Sequence, residues 1–362
     1  MQPTFHTPTF RAVITAIAIP VFGIGCFVLH HYFHDPFIML ASVFFLFATV
    51  MSAVHHAEII SARIGEPFGA LVLALCVTII ESSIILSMMF AGGENVSSLA
   101  RDTVFAALMI ILTGMCGLTL FIGGLKYREQ FFGSLGVTSI LTVLVAICVL
   151  TLILPNFTIS TPGPYYSKKQ LAFVAIITFL LYLAFLFVQN IRHRNDFVTA
   201  EELQEVHDKP GKKATWLSAI LLPINLTAVV LLAESLAPDL EAWIHKIGAP
   251  PALSGIIIAC VVLLPEGISA VKAALANKMQ KSLNLSLGSA LASISLTIPV
   301  VALVSLWMDL PLALGIGTDS SVIFLLSLFS IILSLSKGRT NILQGLVLII
   351  LFFVYLFITI NP

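Results

Sequence analysis

Long apolar runs, separated by short polar punctuation, occupy nearly the whole of this chain. A run of about 18 or more apolar residues is long enough to cross a bilayer as a helix. The pattern predicts eleven such helices, at 12–33, 37–62, 69–91, 103–125, 133–154, 170–191, 215–235, 253–276, 283–306, 319–336 and 341–360. No stretch alternates in the manner of a barrel strand. The predicted class is an all-α polytopic membrane protein whose first partner is the lipid bilayer.

One long polar interruption, 192–214, contains Glu201, Glu202, Glu205 and Asp208 between basic flanks and reads as a solvated cytoplasmic linker. It separates six helices from five. Setting aside an N-terminal helix within residues 1–36 leaves five helices in 37–191 and five in 215–362. Helices two and seven then enter the membrane from opposite sides, which predicts two inverted five-helix repeats. Local likenesses occur in the same order: Ala57-Glu58 is answered by Ala233-Glu234, and Val77-Thr78-Ile79-Ile80-Glu81 by Val262-Leu263-Leu264-Pro265-Glu266.

Basic residues set the expected orientation. With the N-terminus in the cytoplasm, Arg63, Lys126, Arg128, Arg192, Arg194, Lys278, Lys337 and Arg339 fall inside, whereas Arg101, Lys168, Lys169 and Lys246 fall outside. The C-terminus is then extracytoplasmic. Arg11 leads into apolar residues with no small-residue cleavage site after it, so the first helix is expected to be retained.

Composition agrees with this picture. Hydrophobic residues make up 59% and charged residues 10% of 362 positions, which excludes a water-soluble globule. The formal net charge of zero argues against a nucleic-acid partner. Cys26, Cys76, Cys116, Cys148 and Cys260 all sit in apolar runs and read as small buried thiols. No cofactor is called for.

Against this apolar background, Glu81 and Glu266 stand out. Each lies near the middle of a predicted helix, where an acidic residue costs roughly 2.5–3.5 kcal/mol on insertion scales. A carboxylate pair suits a hard cation such as Ca²⁺, which takes six to eight oxygen ligands. Further oxygens must come from hydroxyls, carbonyls or water. Pro265 lacks an N–H and so deprives the Val261 carbonyl of its helical donor. Pro265-Glu266-Gly267 therefore reads as a broken-helix cation site.

Thr78, one turn before Glu81, and Ser289 are candidate further ligands. Ser282, Ser286, Ser289 and Ser293 form one helical stripe, with Asn284 and Gly288 close by; these residues serve either helix packing or ligation. His55, His56, Glu58, Glu234 and Asp102 are candidates for a proton pathway. The alternative of an intramembrane metalloprotease built on His55, His56 and Glu58 lacks the His-Glu-x-x-His spacing.

The stretch Pro265-Glu266-Gly267-Ile268-Ser269-Ala270-Val271, continuing through Asn277-Lys278-Met279 to Ser282-Leu283-Asn284-Leu285-Ser286-Leu287-Gly288-Ser289-Ala290, resembles the second repeat of the calcium/cation antiporter superfamily. It is most similar to the bacterial calcium/proton antiporters of the ChaA type. In the first half, Gly65-Glu66-Pro67, Val77–Glu81 and Leu99–Ala106 agree. The resemblance implies an inner-membrane antiporter exporting Ca²⁺, or Na⁺ or K⁺, against protons. It also implies that Glu81 and Glu266 bind the cation. The superfamily's Gly-Asn-x-x-Glu signature departs here, with Thr78 and Leu263 at the asparagine positions. Gly288-Ser289 is matched in the first half by Phe105-Ala106, so coordination is expected to be asymmetric.

Overall fold

The computed structural model describes residues 10–33, 35–65, 68–91, 96–197, 210–250 and 252–361. Its helices are α1 (Phe10–Tyr32), α2 (Pro36–Ile64), α3 (Phe68–Ala91), α4 (Val96–Met109), α5 (Cys116–Tyr127), α6 (Ser134–Cys148), α7 (Lys168–Phe187), α8 (Lys212–Lys246), α9 (Ala252–Leu275), α10 (Met279–Met308), α11 (Thr318–Leu335) and α12 (Ile342–Ile360). A π-helical stretch, Ile110–Met115, joins α4 and α5 into one rod. Each of the eleven predicted spans therefore has its helix. Among the described residues nine helices are long and apolar enough to cross a membrane, and α1 and α3 carry shorter apolar stretches at Ile17–His30 and Leu75–Phe90. The all-α polytopic class holds. Glu66, Pro67 and the linker residues Glu201, Glu202, Glu205 and Asp208 lie outside the described residues.

Helix ends are marked by groups that satisfy the orphan backbone. Asp35 caps α2 by accepting from the Phe37 N–H at 2.7 Å, with Pro36 at the first helical position. The same helix stops at Gly65, whose φ of +79° is costly for any residue with a Cβ. Ser167 and Gln170 form a capping box for α7, as Asn341 and Gln344 do for α12.

Two expectations need correction. Helix seven was expected to end at 235, yet α8 continues through Pro238 to Lys246. A proline removes one intrahelical bond, and the buried face of α8 continues past it in Leu236, Ala237 and Ile244. Packing on that face outweighs the lost bond. Similarly, the break expected at Pro265 is absent: α9 is one continuous helix. Pro265, Val262, Leu263 and Ala270 are all buried, so neighbouring helices hold the turn together.

Packing divides the chain into two compact units, 1–93 with 205–247 and 94–204 with 248–362. The first unit contains α1, α2, α3 and α8; the second contains the remaining helices. Each draws on both sides of the acidic linker, so compactness groups the helices on a different basis from repeat order.

In the first unit α2 packs against α1, α3 and α8. The Arg63 guanidinium donates to the Pro210 carbonyl at 3.1 Å where α2 ends and α8 begins. At the opposite ends of α1 and α8, His30 Nε2 meets Asp239 Oδ2 at 2.7 Å.

In the second unit α9 runs parallel to the α4–α5 rod. Gly255 abuts the Asp102–Thr103 backbone, Gly267 faces Met115, and the Leu275 carbonyl accepts from Lys126 Nζ and Tyr127 OH at 2.8 Å each. A parallel pair is what alternating crossings require of the fourth and eighth helices. The spans 97–127 and 279–308 are the most enclosed, with 72% and 67% of their apolar windows buried against 17% for α12. They form the centre of this unit, and α12 lies at its margin. A short antiparallel pair, Gln130–Phe131 with Arg339–Thr340, closes one end.

Candidate cation site

Glu81 is the fourteenth of 24 residues in α3, and Glu266 the fifteenth of 24 in α9. Apolar side chains surround both in sequence, so each helix carries its carboxylate to mid-depth. Within the first unit Glu81 is 4% exposed and Thr78 5% exposed. Ser82 is equally enclosed, and its hydroxyl has no hydrogen-bond partner among the described residues. Positions 78, 81 and 82 share one helical face, so α3 presents a buried polar stripe of hydroxyl, carboxylate and hydroxyl. Ser82 was absent from the sequence-based candidates. Its spacing one residue after Glu81 was the available signal, obscured by Ser83 beside it.

Within the second unit Glu266 is half-buried on α9. Its neighbour Gly267 permits close approach to the π-helical stretch: an added Cβ would lie 3.3 Å from Met115 Sδ. Such π segments break the regular hydrogen-bond ladder and recur at functional positions. Val261, half-buried one turn earlier, keeps a carbonyl that Pro265 cannot serve.

The serine stripe of α10 is largely interior. Ser282 and Ser286 are fully buried, Ser293 is 6% exposed and Ser289 half-buried. The Ser286 hydroxyl donates to the Ser282 carbonyl at 2.9 Å and shares a hydrogen bond with Cys116. The Ser282 hydroxyl is buried with no hydrogen-bond partner among the described residues. Asn284 is tied to structure: its Nδ2 donates to the Phe197 carbonyl at 2.5 Å, and its Oδ1 accepts from Gln280 Nε2 at 3.0 Å. Among the described residues an added Cβ at Gly288 meets no atom within 4 Å, whereas at Gly255 and Gly267 the nearest atoms lie at 3.0 and 3.3 Å.

The proton-pathway candidates separate by environment. His56 is buried and shares a hydrogen bond between its Nδ1 and Ser218 Oγ at 3.0 Å. His55 and Glu58 are exposed and, at i and i+3, share another face of α2. Glu234 is exposed on α8. Asp102 is engaged on both oxygens, by Arg101 Nε at 2.7 Å and by the Ser98 hydroxyl at 3.0 Å. Arg101 also donates to the Gly315 carbonyl at 2.9 Å, fastening the start of the α4–α5 rod to the segment before α11. Sequence reasoning missed the His30–Asp239 pair because it placed Asp239 beyond its helix.

A sequence profile of the sodium/calcium exchanger proteins matches residues 34–190 and 217–361. A putative ionic transporter, y4hA, of Sinorhizobium fredii is 43% identical over 99% of this chain and 97% of its own length. The sodium-potassium/proton antiporter ChaA of Escherichia coli is 35% identical over 88% of this chain and 87% of its own. Among solved structures, native YfkE superposes with a TM-score of 0.73 at 20% identity, covering 96% of this chain and all of its own. The H⁺/Ca²⁺ exchanger CAX gives 0.68 at 16% identity, covering 95% of this chain and 88% of its own. These likenesses establish a shared fold.

Proposed function

The chain belongs to the sodium/calcium exchanger protein family, and from that premise we propose that it is a secondary active antiporter exporting Ca²⁺ in exchange for protons. The observation that carries this reading is the pair of carboxylates at matching positions in two 24-residue membrane helices, Glu81 in α3 and Glu266 in α9.

The coupling follows from electrostatics. Burial disfavours an ionised carboxylate, so without a cation the glutamates hold protons; a divalent ion favours the ionised form. Protons and cation therefore compete for the same oxygens. Exchange of one Ca²⁺ for two protons keeps the charge of the site constant. Thr78, Ser289 and the Val261 carbonyl supply further oxygens, and Ser82 joins them on the face of Glu81. His55, His56, Glu58 and Glu234 carry protons between the site and the aqueous phases. Asp102 already has structural partners in Arg101 and Ser98.

The family match covers 34–190 and 217–361, leaving out α1 and the linker region. That division favours two five-helix repeats, 37–191 and 215–362, in inverted orientation. Alternating access then exposes the site to each side in turn. The distribution of basic residues supports a cytoplasmic N-terminus and an extracytoplasmic C-terminus, in the bacterial inner membrane that the resemblance implies.

A second reading exchanges Na⁺ or K⁺ for protons on the same scaffold. It is favoured by the Escherichia coli relative, a sodium-potassium/proton antiporter. Inside-out vesicles containing the chain and a pH-sensitive dye separate the two. Proton release on addition of Ca²⁺, with none on Na⁺ or K⁺, supports the first; the reverse order supports the second.

A further inference from the structure

At one end of the first unit a histidine and an aspartate meet between two helices. His30 Nε2 lies 2.7 Å from Asp239 Oδ2; the imidazole is 4% exposed and the carboxylate 34%. The pair joins α1 to α8, two helices that pack along one another. Van der Waals packing alone would hold two apolar helices together at lower desolvation cost. An ionisable pair placed here therefore points to function.

We propose that His30 and Asp239 form a proton-responsive positioning pair that couples α1 to α8. Imidazole changes charge between pH 5 and 8. When His30 is protonated the contact is a charged ion pair; when it is neutral the contact is a single hydrogen bond. Acidification on this side therefore tightens α1 against α8, and alkalinity loosens it. Helix α8 also carries Glu234, five residues before Asp239, and Ser218, the partner of His56. A change in its seating is transmitted to both. Helix α1, which lies outside both repeats, thereby gains a part in the exchange cycle.

The other titratable groups at these helix ends are His31 and Tyr32 on α1, Asp35 at the start of α2, and Glu234, Glu241, His245 and Lys246 on α8. Within its described residues, the half of α3 that follows Glu81 carries no charged residue.

The use of exchange as a readout rests on the antiporter reading, so the test has two arms. In proteoliposomes containing the full chain, exchange is measured while pH is varied on the side bearing His30. His30→Gln is expected to flatten the pH dependence on that side, Asp239→Asn to shift it away from the wild-type profile, and Asp239→Glu to restore it. A wild-type profile retained by both His30→Gln and Asp239→Asn overturns the proposal and leaves the exchange reading intact. In the second arm, hydrogen exchange of residues 17–32, corrected for intrinsic rates, is followed from pH 6 to 8 in purified protein. Protection is expected to fall with rising pH in the wild type and to be flat in Asp239→Asn. Identical profiles overturn the proposal whether or not the protein transports. If Asp239→Asn does not fold, His30→Gln takes its place, since glutamine retains a neutral donor to Asp239.

Discussion

The Nδ1 of His56 lies 3.0 Å from the hydroxyl oxygen of Ser218, and this contact ties α2 to α8 inside the first unit. Both side chains are buried. Ser218→Ala leaves a buried ring nitrogen without its partner and should lower stability by about 1–3 kcal/mol. The measurement is the thermal midpoint of the purified protein in detergent. An unchanged midpoint would show that the contact contributes nothing to packing.

Asp102 illustrates a different balance. Arg101 and Ser98 engage its carboxylate, and both charged side chains are about one-fifth exposed. Arg101→Ala removes the bonds to Asp102 and to the Gly315 carbonyl, leaving a partly buried anion; the expected loss is about 2–4 kcal/mol. The half-saturating cation concentration should stay at the wild-type value. A changed cation affinity with normal stability would place Asp102 in the ion path instead.

Two glycines make opposite predictions. At Gly345 of α12 an added Cβ collides with the backbone of Phe121, and at Gly117 of α5 it falls 2.9 Å from the Ile349 nitrogen. These helices touch through their backbones, as small residues allow in membranes. Gly345→Ala should therefore destabilise by about 1–3 kcal/mol. Gly288→Ala, with no atom among the described residues within 4 Å of the added carbon, should leave the melting temperature unchanged. Side-by-side melting curves of the two variants check both statements.

Asn284 belongs with packing on its geometry, since the Phe197 carbonyl and Gln280 occupy its amide. Asn284→Ala should cost about 1–2 kcal/mol of stability and leave cation affinity intact. Titration of the variant with Ca²⁺ and with Na⁺ tests this directly.

Hydropathy alone located the long apolar helices among the described residues because, in a bilayer, apolar length decides whether a segment crosses. Helix ends were less legible. The extension of α8 past Pro238 depends on buried Leu236, Ala237 and Ile244, whose partners lie on other helices. The continuity of α9 through Pro265 has the same cause. Glu81 and Glu266 could be singled out as candidates in the sequence because a carboxylate in an apolar run has no cheap structural explanation. Serines and glycines were ambiguous, since the same residue types serve packing and ligation. Only spatial neighbours separated Asn284, which is tied to Phe197, from Ser282, whose buried hydroxyl has no hydrogen-bond partner among the described residues. The His30–Asp239 pair was invisible because its members are far apart in sequence.

Under the proposed mechanism Glu81 and Glu266 bind cation and protons in competition. The direct measurement is Ca²⁺-driven proton release from inside-out vesicles containing wild type, Glu81→Gln or Glu266→Gln at matched protein levels. The competing-carboxylate account predicts that each glutamine variant loses release by at least about tenfold, because an amide neither titrates nor neutralises a cation. Full release from both variants would contradict it.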